Sequence, residues 1–331
     1  MTPTPRASAA SAVRPDSAHG LITFDNVRTE DDSRALQQPP QFSRAPGAVP
    51  FTDGIGVSPD GKRVAIVRSA QTGTQLIIFA TLKPNDVTSV LDLSGSGETA
   101  GGLVWAGDGT ASVLLAVHKL SSAAPQMPTT YTTLRVVDVG TRQVREIARI
   151  TTGSYFMPIA WRPDRKVAAA LEVAAGAANS YDLIREGAAP ERTPLGVMYG
   201  AITASRDGLR IAAVLAPAVR WWPMEQPSAG KTIESDQRGR AEFAAFRPGT
   251  DELGVSVSAP STAPGAPPPG HFEIWNATTG RQRVVSPTIG FQFWRVDGTA
   301  AISGATLIDP ESGATAPLPG GEFKIADVVA F

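Results

Sequence analysis

Short apolar runs alternate with clusters of turn-forming residues along most of this chain, and within the runs a two-residue period recurs. The clearest unit is Ile55-Gly56-Val57, then Ser58-Pro59-Asp60-Gly61-Lys62-Arg63, then Val64-Ala65-Ile66-Val67. This pattern predicts two β-strands joined by a tight turn, with Asp60 hydrogen-bonding locally and Gly61 free to take positive φ. Degenerate copies follow around Trp105-Ala106-Gly107-Asp108-Gly109, Trp161-Arg162-Pro163-Asp164-Arg165, Ser205-Arg206-Asp207-Gly208, Phe246-Arg247-Pro248-Gly249-Thr250 and Trp294-Arg295-Val296-Asp297-Gly298. No long stretch holds a 3.6-residue period, so amphipathic helices are not expected.

The turn position falls at residues 60, 108, 164, 207, 249 and 297, giving intervals of 48, 56, 43, 42 and 48 residues. Four strands with their connections need about 40–50 residues. The remainder of each unit supplies the other two strands, as in Gln75-Leu76-Ile77-Ile78-Phe79-Ala80 followed by Val87-Thr88-Ser89-Val90-Leu91. Between such pairs lie polar turns at Gly140 to Arg142, Thr279 to Arg281 and Glu311 to Gly313. Inner strands such as Ala201-Ile202-Thr203-Ala204 are small and apolar, which suits a crowded centre. A unit of this size cannot bury both its faces alone and must stack on its neighbours. The expected fold is therefore all-β: a β-propeller of four-stranded blades.

The core Ser58 to Ala65 resembles the repeat of bacterial TolB-type and WD-repeat-like propellers, and the resemblance covers roughly residues 51 to 320. Later copies depart from it: Gly107, Arg206 and Val296 replace the Pro, Arg165 replaces the Gly, and Gly249 replaces the Asp. The Trp-Asp dipeptide and structural His of true WD repeats are missing, as is the Ser-x-Asp-x-Gly-x-Thr-Trp box of sialidase-like propellers. The resemblance implies a fold, and with it a protein-binding scaffold; it specifies no activity.

Six markers give six repeats, but both ends carry additional strand. Gly20 to Val27 with Ser33 to Leu36 reads as an outer hairpin, and Phe323 to Phe331 as an inner strand. Pairing the termini would lock the ring and remove open edges. Seven blades with a composite closing blade is the preferred reading; six blades with extra closing strands is the alternative. Residues 1–19 are expected to form a disordered tail, and 20–331 a single propeller domain.

With 30 Lys and Arg against 31 Asp and Glu, the formal net charge is −1, which argues against nucleic acid as a partner. The chain has no cysteine, hence no disulfide or thiolate metal site. It lacks the roughly 18 consecutive apolar residues that a membrane-spanning helix needs, and its first residues lack a signal-peptide core. The chain as given reads as cytoplasmic. TolB-type propellers are often exported or tethered, so a trimmed N-terminus would reverse that reading.

Candidate chemistry is sparse. Only His19, His118 and His271 occur, and neither a Gly-x-Ser-x-Gly elbow nor a phosphate-binding Gly loop is present. No metal or cofactor is expected. Asp53, Glu98 and Glu242 stand at or just before inner strands, with Arg238 and Arg240 nearby, so a ring would bring them towards the channel mouth. Converging carboxylates can shift one another's pKa or hold a cation; solvated charge is the simpler reading. Phe51, Tyr155, Phe156, Tyr199 and Phe291 also precede or begin inner strands, as binding anchors or as blade-to-blade packing. Trp221 and Trp222 are adjacent on one expected strand, so one should point outward. The long segments His118 to Pro128 and Ser258 to Gly270 form either a raised rim that meets a partner or tolerated insertions. The preferred function is a non-catalytic scaffold binding a protein partner through its loop-rich face. The alternative is an enzyme or a small-ligand or cation-binding propeller, lactonase-like or glycan-active, using an acidic channel mouth.

Overall fold

The computed structural model describes residues 20–23, 28–31, 54–70, 73–81, 83–93, 98–120, 129–151, 153–173, 179–196, 202–215, 218–235, 239–258, 270–304, 306–318 and 328–330. Among them lie six four-stranded antiparallel sheets and one three-stranded sheet. The first blade runs outward from the axis as Ile55–Val57, Arg63–Ala70, Gly73–Ala80 and Lys83–Asp92. The next five repeat this meander, with inner strands Glu98–Trp105, Tyr155–Arg162, Ile202–Ala204, Arg240–Phe246 and Phe293–Trp294.

The three-stranded sheet closes the ring. Gly20–Thr23 pairs with Arg28–Asp31 on one side and with the C-terminal strand Val328–Ala330 on the other. That last strand lies beside both Phe293–Trp294 and Ile55–Val57. The closing blade is thus shared between the termini, with three strands among the described residues, and it joins the two ends of the series.

Neighbouring blades pack face to face, and the core is a set of seams. One seam joins Leu114, Ala116, Leu134 and Val136 of the second blade to Phe156, Trp161, Ala168, Ala170 and Ile184 of the third. Another joins Leu171, Tyr181 and Leu183 to Ile211, Ala213, Trp222 and Met224. Between the fifth and sixth blades, Phe272, Phe291 and Trp294 form an aromatic cluster. Gly254 permits it: a Cβ there would lie 2.8 Å from both Phe291 and Trp294, so any side chain would push the blades apart.

Ahead of three of the tight turns stands a tryptophan with a specific task. The Trp105 indole donates to the Gly56 carbonyl at 2.9 Å, Trp161 to the Ser112 hydroxyl at 3.2 Å, and Trp294 to the Ala245 carbonyl at 3.0 Å. Each acceptor lies 49 residues upstream, on the preceding blade. The indole therefore fills the seam and satisfies its one polar atom across it.

Candidate functional site

The meander gives the ring two unlike ends. Turns between first and second strands, and between third and fourth, emerge at one end, the turn face. Connections between second and third strands, and from blade to blade, emerge at the other, the connection face.

On the turn face the turn carboxylates are hydrogen-bonded locally. Asp60 accepts from the Ser58 hydroxyl at 2.5 Å and the Lys62 amide at 3.1 Å; Asp207 repeats this with Ser205 and Leu209. Burial raises the Asp60 pKa, but these hydrogen bonds with Arg63 and Lys62 nearby outweigh it and hold the carboxyl below its ordinary value. Gly61, Gly109, Gly208 and Gly298 all take the expected positive φ, and Gly249, which stands at the Asp position of its repeat, takes one as well. In the third blade, where Arg165 stands in place of the glycine, Pro163–Arg165 forms a 3-10 turn and Lys166 takes the left-handed position at φ 52°. Arginines tie successive turns together: Arg162 donates to the Asp207 carbonyl at 2.7 Å and Arg247 to the Gly298 carbonyl at 2.8 Å. The outer turns use the same chemistry, with Asp138, Asn276 and Asp309 each accepting amides two or three residues on.

The connection face bears most of the sequence-predicted residues. Glu98 is gripped by Arg135 at 3.1 Å and accepts the Tyr131 hydroxyl at 2.8 Å, while the Arg149 guanidinium lies 4.6 Å over the Tyr131 ring. Glu242 accepts the Ser258 hydroxyl at 2.7 Å, and Arg240 beside it is exposed. Each carboxylate is held within its own blade, so the structure does not bring Glu98 and Glu242 into one cluster. Asp53, Arg238, Phe51 and Tyr199 fall outside the described residues. Tyr155 is half-buried and meets His118 edge-on at 5.0 Å; burial raises its pKa. Phe156 and Phe291 are buried in seams. Trp222 is buried against Tyr181, at 5.3 Å. One of the pair was expected to point outward; Trp221, on the opposite side of the strand from Trp222, instead packs half-buried against the fifth-blade seam with Lys231 5.8 Å from its ring. The reason is architectural: adjacent strand residues do face opposite ways, but in a stacked ring both directions lead into a neighbour.

Three buried polar groups escape the sequence reading. His118 is 1% exposed, and burial pulls its pKa down from 6.5 to about 4. Its Nδ1 lies 2.8 Å from the Thr132 hydroxyl, which donates onward to the Ser154 carbonyl; Nδ1 therefore donates, and Nε2 is left without a partner. Asp182 is fully buried near Glu172, both reached by Arg192 at 3.6 and 2.5 Å. Burial and the Glu172 charge push the Asp182 pKa up to about 6. Glu273, 1% exposed, holds His271 Nε2 at 2.6 Å and the Trp275 indole at 2.5 Å. The available signal was an acidic residue inside an apolar strand, as in Ala169 to Val173 or Phe272 to Trp275. Among the described residues, no group of three or more His, Asp or Glu side chains is arranged to hold a metal ion, and no helix is long and apolar enough to cross a membrane.

No protein-family model matches this chain, and no curated protein does. Solved structures do match it. A chain of the mitotic checkpoint complex is similar over 98% of this chain and 88% of its own, at 12% identity and a TM-score of 0.55. The fold is a β-propeller. A putative 6-phosphogluconolactonase from Bacteroides uniformis matches this propeller over 95% of its chain and 99% of the other, again at 12% identity and a TM-score of 0.55. A chain from a study of two prolyl endopeptidases is similar over 92% of the propeller and 50% of its own length, at 16% identity and a TM-score of 0.56. TolB structures from Acinetobacter baumannii and Agrobacterium tumefaciens are also similar, each at a TM-score of 0.46. At these identities the likeness speaks to the fold alone.

Proposed function

We propose that this propeller is a scaffold that binds a protein partner through its connection face. The supporting observation is the state of the carboxylates there. Glu98 is committed to Arg135 and Tyr131, and Glu242 to Ser258. A carboxylate so engaged must give up those partners before it can act as a base or a ligand, and losing a charge-assisted bond is costly. The same side chains sit at a rim where rigid blades present variable connections, the arrangement on which recognition is commonly built. The two longest second-to-third connections, residues 121–128 and 259–269, leave from this face.

A second reading, an enzyme or small-ligand binder, is favoured by one observation: buried Glu273 holds His271 Nε2 at 2.6 Å, as a carboxylate orients a catalytic imidazole. Affinity capture from native lysate separates the two. The baits are wild type, a variant with 259–269 replaced by a short Gly/Ser linker, and His271→Gln. The scaffold reading expects a stoichiometric partner retained by His271→Gln and lost with the linker variant. If no bait retains a partner, the scaffold reading fails.

A further inference from the structure

We propose that the axial cavity of the ring binds a small monocarboxylate with a compact apolar body, its carboxylate paired with Arg206. The cavity, about 350 Å3, runs along the inner strands of five blades. Ile55, Val57, Val104, Ala204 and Val296 are among the residues that wall it, with the largely buried Trp105, Phe246 and Trp294. Its side chains are mostly apolar, the backbone of the inner strands and Ser58 supply polar surface between them, and Arg206 is the one charged group. A concave space of this size with a few placed polar groups is the usual form of a small-molecule site.

Arg206 supplies that charge through a departure from the repeat. The first copy has Pro59 where the fourth has Arg206. From there the guanidinium reaches the sixth blade and donates to the Val296 carbonyl. It also lines a second cavity of about 360 Å3 that opens on the turn face, so it stands where the two spaces meet. A guanidinium has five N–H donors, and among the described residues the Val296 carbonyl is its one hydrogen-bond acceptor. The other arginines of that second cavity are already engaged by carboxylates, Arg210 by Asp251 and Arg247 by Glu252 and Glu311.

The nearby acids do not substitute for a ligand. Asp60 and Asp297 act on Arg206 through space; Asp60 Oδ1 is engaged by Ser58 and Lys62, and both Asp297 oxygens by Thr299. Burial outweighs their charge and pulls the Arg206 pKa below its ordinary value, the sign of a cation short of counter-charge. A carboxylate can accept two parallel bonds from such a fork, while an apolar body fills the channel above it. A bare anion would leave the apolar walls uncovered.

The test is calorimetric titration of the full chain with cinnamate, cinnamyl alcohol and inorganic phosphate. Wild type should bind cinnamate saturably and at least tenfold more tightly than the alcohol, with phosphate weaker still. Arg206→Gln should erase the preference for acid over alcohol. Ala204→Leu, which fills the channel and leaves the guanidinium in place, should weaken acid and alcohol alike at least tenfold. The wild-type titration stands even if either variant fails to fold. No saturable cinnamate binding, equal binding of acid and alcohol, or phosphate binding as tightly as cinnamate would each overturn the proposal.

Discussion

The turn face and the connection face are made from the same chain passing the same ring, yet they solve different problems. On the turn face, short capped turns repeat with small variations, and arginines stitch one turn to the next. On the connection face, the strands end in charged and aromatic side chains that differ from blade to blade: Glu98 with Tyr131 and Arg149, Tyr155 with His118, Glu242 with Ser258, His271 with Glu273. Repetition on one end fixes the architecture, and variation on the other supplies distinct chemistry. If that division is right, substitutions at the seams and turns should act on stability, and changes to the connections should act on recognition.

The largest expected effect is at a seam. Trp161 is 1% exposed and bonded across to Ser112. Trp161→Ala should cost about 3–5 kcal/mol in denaturant unfolding, enough to unfold a marginal ring. A cost below about 1 kcal/mol would mean that the indole is not holding the second and third blades together.

Next comes a group that breaks the division, because it lies under the connection face and still bears on stability. His118 is held neutral, with its pKa lowered from 6.5 to about 4 by burial. A depressed histidine pKa means that the unfolded chain binds the proton first. Its contribution is intact above pH 6.5 and lost as pH falls to about 4, on the order of 3 kcal/mol in all. Asp182 acts in the opposite sense: its pKa is raised from 3.8 to about 6, so its carboxyl is favoured by acid over that interval. Comparing wild type with His118→Leu across pH 7 to 4 isolates the histidine, and the variant should lose less stability on acidification. Parallel pH curves would show that His118 does not control acid sensitivity.

A smaller effect belongs to the turns. Gly249 takes φ 72° with open space around its Cα. Gly249→Ala should therefore register only the left-handed backbone penalty, about 1–2 kcal/mol, in thermal or urea unfolding. Smallest of all, replacing 259–269 by a short Gly/Ser linker should shift stability by about 0.5 kcal/mol or less, since loop closure depends weakly on length. A loss beyond about 2 kcal/mol would place that connection among the elements that hold the ring together.

How much of this was legible in the sequence follows the same division. Asp60, Asp207 and Asp297 announce their turns because the hydrogen bonds are local, within a few residues. The pairing of the termini was legible because an extra hairpin at one end and an extra strand at the other have few places to go. The 49-residue indole bonds were not, since their acceptors include backbone carbonyls that carry no residue signature. Lys166 took over a glycine's conformation because the turn lengthened into a 3-10 turn, a change of backbone rather than of composition. The Trp221-Trp222 pair was read as leaving one ring outward because alternation says which way a side chain points, and not what stands there. Glu98 and Glu242 were read as converging because both begin inner strands, but cross-strand partners within each blade claim them first. His118 looked like part of a long connection; its burial follows from pairing with Thr99 and Thr132 in the sheet.

The most direct test of the division between the faces is a hydrogen-exchange footprint of the propeller with its captured partner. The account predicts new protection at 121–128, 259–269 and the adjoining strand ends, with the turns at Gly61, Gly208 and Gly298 unchanged. Protection confined to those turns, with the connections unaffected, would contradict it.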